Sequence, residues 1–228
     1  VNTITVESIN EHGKAFSSVA GTAKTYAGVH FYDNVFFRRG GYLITGDRLE
    51  VSGELRLEEY GRLSHLDATA TFVSLLDLTV GNLFVDSTSL IESTGRGYLG
   101  GKNYNEQGRT LGNQYGSGVG AGGSYGGLGG RFTSEMPNAV YGSLSDVSYL
   151  GSGGGAYQSN VGGDGGGLIF INAGGIELYG QISANGGEGT GSASGNGSGG
   201  SVNIQTGTLS GTGLISANGG GNGNHVGG

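Results

Sequence analysis

Two segments in the last third of the chain repeat each other without a gap at an offset of 33 residues. Residues 166–187 and 199–220 are identical at 11 of 22 positions, including all of Ile-Ser-Ala-Asn-Gly-Gly at the end of each segment. Ile169 also matches Val202 in kind. A fixed period that keeps its apolar positions is typical of repeat proteins, in which each unit buries its apolar side against the next.

A fainter repeat lies upstream at an offset of 28 residues. A glycine and three apolar positions recur in it: Gly53, Leu55, Leu57 and Leu63 match Gly81, Leu83, Val85 and Ile91. The shared pattern alternates apolar with polar residues on both sides of a glycine, which is typical of half-buried strands that meet at a corner. We therefore predict an all-β fold, namely a parallel β-helix (β-solenoid) with glycine-rich loops or polyproline-II-like excursions.

Stacking of the two C-terminal units brings identical residues over one another. Ile182 is expected over Ile215, and Asn185 over Asn218, as a structural ladder. Asparagine ladders satisfy side-chain amides along a stack of strands.

Glycine is distributed unevenly and divides the chain. Of its 54 glycines, 9 lie in residues 1–94 and 45 in residues 95–228. With a single proline and no three-residue period, the chain is not collagen-like. We predict an N-terminal cap or assembly segment in residues 1–48, regular β-solenoid rungs in 49–94 and a glycine-rich continuation of the solenoid in 95–228.

The charge pattern excludes several classes of partner. The formal charge is −7, and no Lys or Arg follows Arg131. A long stretch without cations cannot neutralise phosphates, so we expect no nucleic-acid partner. No run of 18 apolar residues is present, so we expect no membrane insertion. The absence of cysteine excludes disulfides and thiolate metal sites.

Few residues suggest a metal site. Asp164, within Gly-Gly-Asp-Gly-Gly-Gly, resembles a glycine-aspartate calcium repeat, but the nonapeptide does not recur. Asp164 is therefore the candidate metal-binding residue, and calcium is the metal that it would bind. We expect no other cofactor. The four histidines lack metal-site spacing: His12, His30, His65 and His225.

An enzymatic alternative depends on acidic and basic residues in the first half of the chain. Glu58 and Glu59 suggest a carboxylate pair for sugar hydrolysis, but neighbours in a strand point to opposite faces. Arg38, Arg39 and Arg56 suggest the base of a polysaccharide lyase, although no motif supports it. We therefore expect no enzyme and keep a polysaccharide-cleaving β-helix as an alternative.

The tyrosines of the glycine-rich part are the candidate ligand-binding residues: Tyr98, Tyr104, Tyr115 and Tyr125. Exposed tyrosines on a rigid backbone stack on sugar rings and form hydrogen bonds through their hydroxyls. The alternative is that they cover glycine tracts that lack side chains.

Several motifs occur in a fixed order: GRGYLGG (95–101), GGSYGGLGG (122–130), GGDGGGLIFI (162–171) and ISANGG (182–187, 215–220). In this order, residues 75–228 or so resemble a glycine-rich module of very large secreted or surface proteins of environmental bacteria. The resemblance implies an extracellular β-solenoid at the cell surface or in a filament, without known catalysis.

We therefore expect an extracellular structural module that builds a surface fibre or giant adhesin by end-to-end solenoid stacking. Its partners would be further copies of itself or neighbouring modules of a larger protein. The alternative is an adhesin module that binds surface glycans or a receptor through the tyrosine-rich loops.

Overall fold

The computed structural model describes residues 3–7, 28–143, 145, 147–191, 193–221 and 227–228. Strands dominate the regular structure of this part of the chain. In chain order they are β1 Thr3–Glu7, β2 Val29–Tyr32, β3 Asn34–Arg38, β4 Tyr42–Thr45, β5 Arg48–Leu57, β6 Arg62–His65, β7 Leu76–Val85, β8 Leu90–Glu92, β9 Gly108–Thr110, β10 Gln114–Ser117, β11 Leu168–Leu178, β12 Gln181–Ser183, β13 Ser201–Ser210 and β14 Leu214–Ser216.

Twelve of these strands form two parallel sheets. The large sheet has the order β1-β3-β5-β7-β11-β13, and β2 also pairs with β5. The small sheet has the order β14-β12-β8-β6-β4. The remaining two strands, β9 and β10, form an antiparallel pair joined by the short 3₁₀ turn Leu111–Asn113.

The alternating apolar residues of both repeats line one core between the sheets. Leu55 pairs with Leu83, and Leu83 in turn pairs with Ile176, as parallel neighbours in the large sheet. Leu63, Ile91 and Ile182 form the corresponding row in the small sheet. These side chains are all buried, so the core consists of stacked rows of like residues.

A column of glycines crosses the middle of the large sheet. It consists of Gly53, Gly81, Gly174 and Gly207, one on each long strand. A Cβ atom at Gly81 would lie 2.5 Å from the carbonyl oxygen of Gly53, and one at Gly174 would lie 2.6 Å from that of Gly81. Only glycine allows backbones to approach this closely, so the close packing of the strands requires glycine at each of these positions.

The predicted parallel β-helix, with loops or polyproline-II-like excursions, is wrong as the fold of this chain, because the structure consists of parallel sheets interrupted by a long insertion. Between β8 and β11, the described residues add no strand to either parallel sheet. In the large sheet, β7 pairs directly with β11, and Leu76 is the register partner of Ile169. The strands therefore do not recur at a constant spacing along the chain. The glycine-rich insertion lacks the side chains that would build a stacked apolar core.

The insertion is held together by backbone hydrogen bonds in several directions. Residues 151–155 show this. The N–H of Gly151 donates to the carbonyl oxygen of Gly166, and that of Gly154 to the carbonyl oxygen of Gly163. The N–H groups between and after them point elsewhere: Gly153 donates to Arg109, and Gly155 donates to Ala121. A sheet strand has neighbours on two sides only. Because this segment has neighbours on at least three sides, the insertion is a packed bundle of glycine segments, not a layer of a sheet.

The three predicted parts of the chain share these sheets. β3 and β4, which precede residue 49, pair with β5 and β6, and β11 to β14, in the glycine-rich part, continue the same two sheets. Residues 8–27 of the predicted N-terminal cap lie outside the described part of the chain.

Candidate functional site

One end of the two sheets is open. β13 and β14 are the outermost strands there, and within the described ranges no strand pairs with their outer edges. Leu209 and Ile215 occupy core-facing positions but are 54% and 39% exposed. Their register partners Ile176 and Ile182 are 1% and 0% exposed. A free strand edge beside exposed core positions is a template for a further strand.

This end also lacks the usual protection of an edge strand. No Lys, Arg, Asp, Glu or Pro follows Glu188 in the sequence, so β13 and β14 are uncharged throughout. Natural proteins commonly guard edge strands with charged side chains or proline, which oppose pairing with another chain. The composition of this edge therefore favours pairing.

The opposite end carries apolar surface too. β1 and β4 are the outermost strands of the two sheets, and β2 pairs only with β5 in the described structure. Val29 and Phe31 of β2 are 40% and 65% exposed. The imidazole Nε2 of His30 lies 2.9 Å from Oδ2 of Asp47, which holds β2 against the turn that precedes β5.

The structure separates the four candidate tyrosines into two pairs. Tyr98 and Tyr125 are buried, and the Tyr125 hydroxyl lies 2.7 Å from Oγ of Ser201. Burial raises the pKa of Tyr98. Tyr104 and Tyr115 are exposed, and Tyr115 donates to Oε1 of Glu106 at 2.7 Å. Only the second pair can contact a ligand without a rearrangement.

Sequence analysis missed a polar cluster within the glycine bundle. The buried Asn138 amide accepts the N–H of Ser124 at 2.7 Å and donates to Thr110 Oγ1 at 2.9 Å. Thr110 Oγ1 is in turn 2.8 Å from Oγ of Ser152, which donates to the Tyr141 hydroxyl at 3.0 Å. No periodicity marks these residues. Asn138 and Tyr141 lie in one segment, and Thr110, Ser124 and Ser152 lie in three others, so the cluster ties the bundle together.

Asp164 lies against a cation supplied by the chain itself. Its Oδ1 accepts from the N–H of Gly100 at 2.7 Å and from Nζ of Lys102 at 2.6 Å. Among the residues that the structure describes, no three His, Cys, Asp or Glu side chains are grouped as metal ligands. The arrangement at Asp164 is therefore an ion pair across two segments of the bundle. His12 and His225 lie outside the described residues.

The predicted ladder residues are neighbours. Ile182 pairs with Ile215 in the small sheet. Asn185 Oδ1 accepts the backbone N–H of Asn218 at 2.8 Å. The Asn185 side chain thus bonds to the backbone of Asn218, rather than to the side-chain amide of Asn218 as in an asparagine ladder.

The acidic and basic residues of the enzymatic alternative neutralise one another. Arg56 Nη1 donates to Oε1 of Glu54 at 2.8 Å, and Arg56 Nε donates to Glu58. Arg38 lies 3.3 Å from the second carboxylate oxygen of Glu58. The backbone N–H of Arg39 donates to Glu59 at 3.2 Å. Glu58 and Glu59 are thus bound in a turn and do not face each other across a cleft.

A buried histidine is the most strongly perturbed base of the described chain. His65 is fully buried, and its Nδ1 lies 2.8 Å from the carbonyl oxygen of Leu66. Its Nε2 has no hydrogen-bond partner. Burial lowers the pKa of His65 to about 4, aided by the charge of Arg96. This imidazole is neutral near pH 7, where it forms part of the core.

A trough runs across the outer face of the large sheet above the glycine column. One part encloses about 600 Å³ and is lined in particular by Glu54, Asn82, Phe84, Glu177 and Thr208. An adjoining hollow of about 560 Å³ is lined by residues of the same strands, with Phe31 and Tyr32 at its end. The lining residues are spread over six strands, so no local motif predicted this trough.

No protein-family model, curated protein or solved structure matches the chain. The family resemblance therefore stays a prediction. Within the described residues, no helix is long and apolar enough to cross a membrane.

Proposed function

We propose that this chain is an extracellular structural module that assembles end to end with further copies of itself, as a building block of a surface fibre or giant adhesin. The observation that carries the proposal is the open, uncharged end formed by β13 and β14, where Leu209 and Ile215 are exposed at core positions. The extracellular location is supported by the resemblance to secreted glycine-rich modules.

The direction of the strands favours a filament over a closed oligomer. All neighbours in both sheets are parallel, so a second copy placed by translation along the stack continues both sheets. Such a head-to-tail contact uses two different surfaces and leaves one of each free at every stage. Growth continues unless the contact geometry closes a ring.

The contact joins β13 and β14 of one copy to the end formed by β1, β2 and β4 of the next. Both ends present apolar side chains, among them Leu209 on one side and Phe31 on the other. Burial of such side chains contributes about 25 cal/mol for each Å² removed from water. If the partner is a neighbouring module of a larger protein, that module would pair with the same edge, formed by β13 and β14.

The test compares the wild-type chain with the double variant Leu209→Lys/Ile215→Lys by light scattering and negative-stain electron microscopy. The wild type is expected to form filaments whose length grows with concentration. The variant is expected to stay monomeric with an unchanged circular dichroism spectrum. Tyr104→Lys/Leu128→Lys adds the same two charges at exposed positions of the glycine-rich part and is the matched control.

A mixing experiment keeps the proposal testable if the double variant is less stable. The variant retains the N-terminal end, so it should cap growing wild-type filaments and shorten them in proportion to its share. A wild-type chain that is monomeric at millimolar concentration would overturn the proposal, and so would a double variant that polymerises normally.

Binding of a glycan or receptor by the tyrosine-rich loops is a second candidate function, favoured only by the exposure of Tyr104 and Tyr115. Loss of binding on replacing these two tyrosines by alanine would support it. We propose no catalytic step, because Glu58 is paired with Arg38 and Arg56, and Glu59 accepts the backbone N–H of Arg39.

A further inference from the structure

The trough on the large sheet has two walls of outward-facing residues. Its floor combines the glycine column with the neighbouring row Glu54, Asn82, Gly175 and Thr208. One wall is a row in register across four strands: Glu50, Thr79, Asn172 and Gln205. The other wall is a second such row: Arg56, Phe84, Glu177 and Ser210. The trough therefore runs across the strands, parallel to the axis of stacking.

Hydrogen-bonding groups in this trough are free. Within the described structure, neither the Asn82 amide nor the Glu177 carboxylate has a partner, and both side chains are exposed. An amide both donates and accepts, and a carboxylate accepts at two oxygens. These groups match a hydroxyl, which can donate and accept at the same time.

The wall beside them is held in place. The guanidinium of Arg56 lies 3.8 Å from the centroid of the Phe84 ring, and Glu54 and Glu58 fix that guanidinium by ion pairs. The Tyr179 ring packs against Phe84 at 5.9 Å between centroids. A wall of rigid aromatic and charged groups beside free polar groups is typical of a preformed binding site.

The charge of the trough selects among hydroxyl-rich ligands. Arg56 is shared by Glu54 and Glu58. Arg48 is shared by Glu50 and Asp77. Acids therefore outnumber cations along the trough, and within the described structure Glu177 forms no ion pair. An anionic polysaccharide would meet this carboxylate without a compensating cation. The trough therefore suits a neutral ligand.

The trough repeats its backbone at every strand, at a spacing of about 4.8 Å. From β5 to β13 it crosses four strands, a distance of about 15 Å. A linear polymer that lies along it contacts each strand in turn, whereas a single small ring contacts only one or two of them.

We infer that this trough binds a linear, neutral oligosaccharide, whose hydroxyls bond to Asn82 and Glu177 and whose ring faces pack beside Phe84. Asn82, Phe84 and Glu177 lie on β7 and β11, in the middle of the sheet, although the ends of the trough reach β2 and β13, which also belong to the proposed end surfaces. The site differs from the tyrosines of the glycine bundle. Occupation of the trough would attach a fibre along its side.

The experiment measures binding of cellohexaose, maltohexaose, laminarihexaose and chitohexaose to the full chain by isothermal titration calorimetry, with hexagalacturonate as the anionic counterpart. At least one neutral hexamer is expected to bind, and hexagalacturonate is not. Asn82→Ala and Glu177→Ala should each weaken binding about fivefold or more, as expected for one lost hydrogen bond.

Tyr104→Ala and Tyr115→Ala are the matched controls and should leave the affinity unchanged. Failure of all four neutral hexamers to bind overturns the inference. Loss of binding in the tyrosine variants alone also overturns it, because it places the ligand on the glycine bundle. Repeating the titration with Leu209→Lys/Ile215→Lys separates the two proposals, since that variant should bind sugar normally while it does not polymerise.

Discussion

Ile176 and Leu209 are register partners on neighbouring strands, yet Ile176 is 1% exposed and Leu209 is 54% exposed. The two residues have the same role in the repeat and differ only in whether a further strand covers them. Among the described residues, β13 is thus the outermost strand of the stack, and its sequence pattern is that of the strand before it. Capping units of repeat proteins normally replace such apolar positions by polar ones.

The glycine bundle should tolerate almost no side chain. A Cβ atom at Gly154 would lie 2.2 Å from the carbonyl oxygen of Gly195, on a neighbouring segment. Gly154→Ala is therefore expected to lower the free energy of unfolding by about 3 kcal/mol or more, as overpacking does in a rigid interior. Urea unfolding followed by circular dichroism measures the change.

Gly126 is the matched control for that substitution. A Cβ atom there has no heavy atom within 4 Å, and the residue does not have a positive φ. Gly126→Ala should leave stability unchanged or raise it by about 0.5 kcal/mol, through reduced freedom of the unfolded chain. Equal effects of the two substitutions would contradict close packing of the bundle.

The sequence could predict the sheets better than the bundle. The aligned repeats give the pairs Leu55 with Leu83 and Ile182 with Ile215, because alternation and a fixed offset encode strand register. The bundle could not be derived in this way, since a glycine carries no side chain whose polarity would indicate a neighbour. Gly153 donates to Arg109, and nothing in either residue indicates that contact. The exposure of each tyrosine depends on these same long-range contacts. The trough depends instead on the pairing of β7 with β11, which joins the two repeats across the insertion.

Removal of the Asn138 side chain should destabilise the bundle. This buried amide bonds to Ser124 and Thr110, and it also accepts from Ser117 Oγ at 3.0 Å. Asn138→Ala leaves several buried polar groups without partners, each costing about 1–3 kcal/mol. We expect a loss of about 3 kcal/mol in urea unfolding. Asn172→Ala, which removes an exposed amide on the large sheet, should change stability by less than about 0.5 kcal/mol.

Stability should fall on acidification because of His65. Burial lowers the pKa of this imidazole to about 4, whereas the unfolded chain has the ordinary value of 6.5. Between these values the unfolded state binds the proton more strongly, so stability is present above pH 6.5 and is lost as the pH falls towards 4. The full loss corresponds to about 3 kcal/mol.

His65→Asn is expected to flatten this part of the pH profile, because asparagine keeps a donor for the carbonyl of Leu66 and does not titrate. Asp77 acts in the opposite direction, since burial raises its pKa and stabilises the folded state on acidification. Thermal unfolding at a series of pH values between 7 and 4 measures both profiles. An unchanged slope in the variant would show that other groups cause the loss.

Salt should have little effect on the assembly that we propose. The edge formed by β13 and β14 carries no charged residue, so its pairing gains nothing from attraction between ions that salt would screen. Filament growth followed by light scattering should be nearly constant between 50 and 500 mM NaCl, a range over which the Debye length falls from about 14 to about 4 Å. Ammonium sulfate should accelerate growth, because it strengthens the burial of apolar surface. Growth that NaCl slows severalfold would instead indicate a contact between charged surfaces, and the apolar edge would then not be the assembly site.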